Sequence, residues 1–198
     1  MSFDTIAINR SRNRFDGQHE VWLFGYGSLI HKADFTFIER RRASISGWAR
    51  RFWQGSHDHR GTPADPGRVL TLVEDAGATC VGMAYRITPQ VFDHLDHREK
   101  NGYLRHVVDI TFDDGMHVDG LVYIADADNA AWLGPASDAE IAAQIASARG
   151  PSGSNRDYVE RLADALRALG AEDAHVFAIE AHLRGIGSAA IGTPGRLA

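Results

Sequence analysis

A glycine-rich loop directly after an apolar run is the first part of this sequence that could do chemistry. Residues 21–24 (VWLF) form an apolar, β-prone run, and Gly25, Tyr26, Gly27 and Ser28 follow it. Such a loop can gather several backbone N–H groups in one concavity, which suits a carboxylate, a phosphate or a developing oxyanion. The same spacing also fits a plain tight turn, and it matches neither the dinucleotide-binding fingerprint nor a P-loop. The candidate binding residues are Phe24, Gly25, Tyr26, Gly27, Ser28 and Leu29.

Glu99 is the second candidate, because it lies where a predicted helix gives way to a glycine turn and a strand. Its neighbours in the segment HREKNGY are the cations Arg98 and Lys100. A carboxylate at a helix end is usually solvated or paired with a nearby cation, so the local pattern by itself favours a surface role. The alternative is a general base.

Two histidine pairs and two potential nucleophiles are weaker candidates. The pairs are His57 with His59 and His94 with His97. Zinc sites usually need three or four ligands, and neither pair has an evident third, so we expect no metal site. Cys80 lies in an apolar run that would raise the pKa of its thiol, which makes it a poor nucleophile. Ser28 lacks the G-x-S-x-G pattern of a hydrolase nucleophile.

The composition is that of an ordinary globular protein. Its 198 residues hold 21 Lys and Arg against 26 Asp and Glu, a net charge of −5, which argues against electrostatic binding of nucleic acid. No stretch approaches the roughly 18 apolar residues that cross a bilayer, and residues 1–20 lack the apolar run of a signal peptide. The single cysteine excludes an intrachain disulfide. We therefore expect a soluble, cytoplasmic protein without membrane or nucleic-acid partners, whose oligomeric state the sequence does not specify.

The hydrophobic pattern predicts an α+β fold, with strands early and helices late in the chain. Strands are predicted over 21–24, 43–55, 68–73, 80–87, 103–112 and 117–124, with a short helix over 34–42. A helix over 89–100 ends near Glu99, and capping signals at Ser137 and Ser154 begin two later helices. A last helix is expected to run to Gly185. The domain then spans residues 20–184, between a polar N-terminal extension (1–19) that folds back or stays mobile and a flexible C-terminal tail (185–198).

Longer motifs follow one another along the chain in a specific order. They include FGYGSLI at 24–30, RRFWQGSHDHRGTP at 50–63, LDHREKNGY at 95–103, LVYIADADN at 121–129 and GPSGSNRDY at 150–158. In this order they closely resemble the ChaC-type γ-glutamylcyclotransferases, a glutathione-specific family, and the resemblance covers residues 21–184. The chain departs from the family pattern at His31, where a Trp is frequent, and at His97 and Asn101 around the glutamate.

The resemblance implies a lyase that cleaves glutathione into 5-oxoproline and cysteinylglycine without metal or cofactor. The implied fold is a small mixed β-barrel with flanking helices. The resemblance places the proton acceptor at Glu99. It places the substrate-binding loop at Phe24, Gly25, Tyr26, Gly27, Ser28 and Leu29.

The implied reaction needs no nucleophile from the protein, because the α-amine of a γ-glutamyl group can close a five-membered ring on its own side-chain amide. The protein must supply a folded substrate geometry, a base and an oxyanion site. We predict that burial raises the pKa of Glu99 toward neutrality. Arg60 and Arg68 are candidates for the glycyl carboxylate, and Tyr103 and Tyr123 for the pocket wall, with structural roles as the alternative. Two other functions stay open, namely a cyclotransferase for other γ-glutamyl amines or amino acids and a non-catalytic regulatory binding module.

Overall fold

Five strands close into a mixed barrel in the spatial order β1-β3-β2-β4-β5. The computed structural model describes residues 4–12 and 17–191. The strands are β1 (Val21–Gly25), β2 (Glu39–Ser56), β3 (Gly67–Ile87), β4 (Tyr103–Phe112) and β5 (His117–Ala125). Strand β1 pairs antiparallel with β3 and parallel with β5, which closes the barrel. The predicted mixed barrel with flanking helices is confirmed.

Helices surround the barrel, and their predicted capping signals are confirmed. The helices are α1 (Ile6–Arg12), α2 (Val91–Arg98), α3 (Asp138–Ser147), α4 (Asn155–Ala168) and α5 (Ala174–Ile191). The Ser137 side chain accepts from the Glu140 N–H in a complete capping box. Ser154 caps α4 by accepting from the Asp157 N–H. These bonds satisfy N–H groups that have no partner within the helix, so the helix starts are readable from sequence.

The second and third strands form one long hairpin, whereas the sequence predicted two strands in the place of β3. Residues 74–79 are mostly exposed and polar, which is why they read as a break. They form a bulge instead, because Glu74 pairs with Trp48 while Thr79, five residues later, pairs with Ser46, which is only two residues from Trp48. Gly47 adopts a φ of +82° at this bulge, a conformation that favours glycine.

Three further local predictions are wrong. Residues 34–42 form no helix, because residues from Glu39 onward pair with β3 and the pairing overrides local helix propensity. The barrel has five strands rather than about six; β6 (Arg149–Gly150) and β7 (Gly153–Ser154) form a separate two-stranded ribbon. The last helix does not end at Gly185 but continues to Ile191. The rest of the predicted tail, residues 192–198, lies outside the described residues.

The apolar core has two clusters, and β1 contributes to both. Phe24 packs in the larger cluster, between the barrel and helices α3 to α5, whereas Leu23 packs in a smaller cluster with Leu95 of α2. Neighbouring strand residues point to opposite faces, so one short strand joins the two clusters. The glycine-rich loop that follows β1 and the carboxyl end of α2 are thereby held against the same part of the barrel.

Part of the N-terminal extension folds back onto the barrel. Helix α1 packs against α2 and β4. Thr5 and Asn9 are fully buried there. Residues 1–3 and 13–16 of the extension lie outside the described residues. None of the helices in the described ranges has the length and apolarity needed to cross a membrane.

Candidate active site

The glycine-rich loop and Glu99 meet at one small cavity of about 60 Å³. The cavity is lined by Phe24, Gly25, Tyr26, Gly27, Ser28, Leu29, Leu70, Glu99, Tyr103, Tyr123 and Tyr158. All seven residues singled out from the sequence are among them. Glu99 is the one carboxylate in this lining. The tertiary structure therefore brings the candidate base and the candidate binding loop into one site, while their roles stay predictions.

Glu99 is placed by the end of α2. Its backbone N–H donates to the Leu95 carbonyl at 2.8 Å, which closes the last turn of the helix. Only 18% of its side chain remains exposed. Burial raises the pKa of this carboxyl above its ordinary value, and the nearby Arg98 guanidinium partly opposes that rise. The direction of the predicted pKa shift is thus supported.

Arg98 connects the carboxylate to the glycine-rich loop. Its Nε lies 3.2 Å from Glu99 Oε1. Its Nη2 donates to the Ser28 hydroxyl at 2.7 Å, and its Nη1 donates to the carboxylate of Asp34. One guanidinium therefore fixes the distance between the base and the loop.

A buried arginine orients the same loop from the other side. Arg50 Nε donates to the Tyr26 carbonyl at 2.6 Å. No cis peptide bond occurs in the described chain, so the Gly27 N–H points away from Arg50. Within the described residues, the backbone N–H groups of Gly27, Ser28 and Leu29 donate to no protein acceptor. Three adjacent donors of the cavity lining are therefore free to bind an anion.

Tyrosines form much of the remaining wall and act as neutral donors. Burial raises the pKa of Tyr158 to about 12 and the pKa of Tyr26 and Tyr103 well above the ordinary value. The Tyr26 hydroxyl donates to the Tyr123 carbonyl at 2.8 Å, and the Tyr103 hydroxyl donates to the Leu70 carbonyl at 2.6 Å. These bonds hold the rings in place around the cavity.

A wider groove of about 200 Å³ adjoins the cavity. The two spaces share Ser28, Glu99, Tyr103 and Tyr158 as lining residues. The groove also contains His59 and several charged side chains, which are Lys32, Asp34, Asp58, Arg60 and Arg98. A ligand that fills the inner cavity can thus extend past Glu99 into a polar channel.

The two arginines proposed for a substrate carboxylate differ in position. Arg68 is buried and donates to Gln144 Oε1 at 2.7 Å and to the carbonyls of Phe52 and Gly134, so it has a structural role. Arg60 lines the outer groove, where its Nη1 donates to the Ser154 carbonyl at 3.0 Å. Only Arg60 can meet a ligand there.

The alternative catalytic groups are poorly placed for chemistry. Burial raises the pKa of the Cys80 thiol to about 11, so it stays protonated at neutral pH. The Ser28 hydroxyl accepts from Arg98, and no histidine bonds to it among the described residues. In the same part of the chain, no three His, Cys, Asp or Glu side chains come close enough to hold a metal ion.

Sequence reasoning missed three residues of this site. Tyr158 lies in the helix predicted to begin at Ser154 and carries no other signal in the sequence, yet an added Cβ at Gly27 would lie 3.2 Å from its hydroxyl. Leu70 was read only as part of a strand, and Arg98 only as a cationic neighbour. No spacing signal marks these residues, because each reaches the site through a contact between distant segments.

A closed mixed barrel with one cavity carboxylate beside a glycine-rich loop has the fold of the γ-glutamyl cyclotransferases. A solved γ-glutamyl cyclotransferase matches it with a TM-score of 0.53 at 13% identity, covering 82% of this chain and 87% of that chain, which shows the fold alone. The chain belongs to the ChaC-like protein family, whose model matches residues 21–185. The family predicted from the motifs is thereby confirmed.

Similar proteins extend over most of the chain. A glutathione-specific gamma-glutamylcyclotransferase 1 from Danio rerio is 43% identical, covering 84% of this chain and 90% of that protein. The Arabidopsis thaliana gamma-glutamylcyclotransferase 2-3 is 45% identical, covering 79% of this chain and 84% of that protein. The crystal structure of a yeast γ-glutamyl cyclotransferase specific to glutathione has a TM-score of 0.79 at 32% identity, covering 85% of this chain and 97% of that chain.

Proposed function

We propose that this protein is a γ-glutamylcyclotransferase, a lyase that cleaves glutathione into 5-oxoproline and cysteinylglycine. One observation carries the proposal: the buried carboxylate of Glu99 opens onto the same cavity as the loop over residues 24–29. Relatives that cover most of this chain, from Danio rerio and Homo sapiens, are named glutathione-specific gamma-glutamylcyclotransferases, which supports the choice of substrate.

The reaction is an internal transfer of the γ-glutamyl acyl group. The α-amino nitrogen of the substrate attacks the γ-carbonyl carbon, and a C–N bond forms to close the five-membered ring. The amide bond to the cysteinyl nitrogen then breaks. The proton lost by the α-amine passes to the Glu99 carboxylate and from there to the departing nitrogen. No water is consumed, and because the amine and the carbonyl belong to one molecule, the protein has only to hold the folded geometry in which they meet.

The residues of the cavity suit this sequence of steps. A raised pKa makes Glu99 a stronger base, which is the direction needed to take a proton from an amine. The free N–H groups of Gly27, Ser28 and Leu29 are donors for either the developing oxyanion or the α-carboxylate of the substrate. Arg98 keeps base and loop together during the transfer.

The outer groove is the proposed site of the departing dipeptide. Arg60 offers its planar guanidinium to the glycyl carboxylate, which it can bind through two parallel hydrogen bonds. The guanidinium lies over the Tyr158 ring at 5.6 Å, so its position is coupled to the inner cavity. Burial lowers the pKa of Arg60 from its ordinary high value.

The decisive experiment quantifies 5-oxoproline and cysteinylglycine from glutathione in the presence of EDTA. Wild type is compared with Glu99→Gln and with Glu172→Gln, an exposed glutamate that lines neither the cavity nor the outer groove. We expect product from wild type and Glu172→Gln and a loss of about 10²–10⁴-fold in Glu99→Gln. Equal rates in wild type and Glu99→Gln would contradict the assignment of the base. Turnover only of other γ-glutamyl amino acids or amines would favour that substrate class, and binding without turnover would favour a regulatory module.

The role of Arg60 is tested with glutathione monoethyl ester, in which the glycyl carboxylate is blocked. Arg60→Gln should raise KM for glutathione about tenfold, equal to the roughly 1.4 kcal/mol of a charge-assisted contact. The same substitution should leave KM for the ester within twofold. An equal rise for both substrates would contradict a carboxylate contact.

The proposed location is the reducing cytosol. The single cysteine is buried, and its thiol has a raised pKa, so the chain carries no disulfide and no reactive surface thiol. Fractionation of cells with an antibody against the protein tests this location, and recovery in a membrane or secreted fraction would contradict it.

A further inference from the structure

Helix α1 lies outside the family match and contacts the turn that follows Glu99. Thr5, at the start of this segment, is fully buried. Its backbone N–H and its hydroxyl both donate to the Lys100 carbonyl, at 3.0 and 3.1 Å. Asp4 forms an antiparallel bridge with Asn101. The residues next to the candidate base are therefore bonded to the N-terminal segment.

Asn9 makes the second set of bonds, one helical turn further on. Its Nδ2 donates to the Tyr103 carbonyl at 3.0 Å, and its Oδ1 accepts from the Arg105 N–H at 2.9 Å. Its own carbonyl accepts from Arg105 Nη2 at 2.6 Å. Asn9 is fully buried, and its two bonds to Arg105 form away from solvent. A buried side-chain amide that bonds a strand on both its donor and acceptor sides fixes the register of that strand.

The bonds continue from Asn9 to the wall of the cavity. Arg105 Nη2 also lies 3.1 Å from Asp96 Oδ2, and Asp96 Oδ1 accepts from the Tyr123 hydroxyl at 2.6 Å. The Tyr123 carbonyl in turn accepts from the Tyr26 hydroxyl at 2.8 Å. Tyr123 and Tyr26 both line the cavity. Helix α1 is thus the outer end of a buried polar network that reaches the proposed binding loop.

We propose that α1 is a positioning element of the active site, in which Thr5 and Asn9 hold the backbone from Lys100 to Tyr103 and thereby hold Glu99. The inference rests on the proposed function, because it concerns the reaction assigned to that site. Other bonds also restrain this turn, because the Gly102 N–H donates to the Lys100 carbonyl at 3.1 Å and the Tyr103 N–H donates to the Glu99 carbonyl at 3.3 Å. Gln54 Nε2 donates to the Asn101 carbonyl at 3.2 Å, and the Asn101 side chain bonds Asp58. A displacement of about 1 Å at a reacting group can cost about 10²-fold in rate, so this restraint matters for turnover.

The test uses full-length variants with glutathione as the probe. Asn9→Ala removes the bonds to Tyr103 and Arg105, and Thr5→Val removes only the hydroxyl bond to Lys100. Thr5→Ser keeps that bond, and Ser11→Ala removes an exposed hydroxyl whose bond stays within α1. We expect kcat to fall about tenfold in Asn9→Ala and about threefold in Thr5→Val, with KM within twofold of wild type. Thr5→Ser and Ser11→Ala should retain the wild-type kcat.

Thermal unfolding, measured first, defines a temperature at which every variant is folded. If Asn9→Ala does not fold, the Thr5→Val and Thr5→Ser pair decides the question. An unchanged kcat in the folded variants would overturn the proposal, and so would a rise in KM alone. Amide hydrogen exchange at Gly102 and Tyr103 gives a readout without substrate, and it should be faster in Asn9→Ala. Should wild type turn over no γ-glutamyl substrate, the proposed function fails, and unchanged exchange in Asn9→Ala would separately overturn the role of α1.

Discussion

Alanine in place of Gly27 should weaken substrate binding, because its methyl group would enter the cavity. The added Cβ would lie 3.2 Å from the Tyr158 hydroxyl oxygen and 3.7 Å from Leu70 Cδ1, both in the cavity lining. The distance of 3.2 Å between the added Cβ and the Tyr158 hydroxyl oxygen is shorter than an ordinary van der Waals contact. Tyr158 cannot easily yield, because Phe52 packs edge-on against its ring, with the ring centroids 6.1 Å apart. The backbone φ of Gly27 is −122°, outside the left-handed region that favours glycine.

The expected magnitude follows from the cost of placing one extra methyl group in a packed space. Overpacking of this kind costs about 1–3 kcal/mol. Expressed as binding, that cost raises KM for glutathione about 5- to 150-fold. The carboxylate of Glu99 is not displaced, so kcat should fall much less than kcat/KM. Removal of the Tyr158 oxygen in Tyr158→Phe relieves the short contact, and the cost of Gly27→Ala should be smaller in that background by more than about 0.5 kcal/mol.

The assay is a set of initial rates against glutathione concentration for the two single variants, the double variant and Gly77→Ala. Gly77 is a matched control, because a Cβ there would meet only Asp75 Oδ1 at 3.9 Å. Its KM should stay within twofold of wild type. A KM within twofold of wild type in Gly27→Ala would refute the reasoning, since the methyl group would then lie outside the space that the substrate fills. Additive effects in the double variant would refute the contact with Tyr158.

Three further predictions concern charge, stability and the thiol. The value of kcat/KM should fall as the pH drops through the pKa of Glu99, which burial raises. Arg98→Gln removes a guanidinium that holds this pKa down, so the acidic limb of the pH profile should move to higher pH. A shift of that limb to lower pH would contradict this prediction. Asp96→Asn removes the carboxylate that pairs with the buried Arg105 guanidinium and should lower the free energy of unfolding by about 3–5 kcal/mol in urea denaturation, whereas a loss under about 1 kcal/mol would mean that this pair contributes little to stability. Cys80→Ala should leave turnover unchanged. The native Cys80 thiol should resist a maleimide reagent at pH 8, because burial raises its pKa to about 11, and rapid labelling would contradict that expectation.

Several local features could be predicted from the sequence because they depend on neighbours in the chain. The caps at Ser137 and Ser154 follow from bonds to N–H groups three residues away. The end of α2 beside Glu99 follows from a helical period that stops before Gly102, where φ is +92°. The family followed from ordered motifs over residues 21–184. In each case the signal lies within the sequence itself.

The predictions that were wrong concern features that depend on distant parts of the chain. Residues 34–42 have a helical pattern, but pairing with β3 makes their last part a strand. Residues 74–79 look like a break between strands, yet β2 pairs on both sides of their bulge. Helix α1 has no motif at all, and Asn9 gains its importance only from strand β4. Bonds between distant segments decide these structures, and local propensity is too weak to oppose them.

By itself, the sequence determined which groups are available: a carboxylate at the end of a short helix and a loop rich in backbone N–H groups after a buried strand. Only the tertiary structure decided that these groups line one cavity. Ser28 and Arg98 are 70 residues apart in the chain and 2.7 Å apart across the site. Closing the barrel brings them together and removes water from Glu99, and loss of water is what raises the pKa of a carboxyl group. Residue types give the chemistry that is possible, whereas burial and contact between distant segments determine whether it can occur.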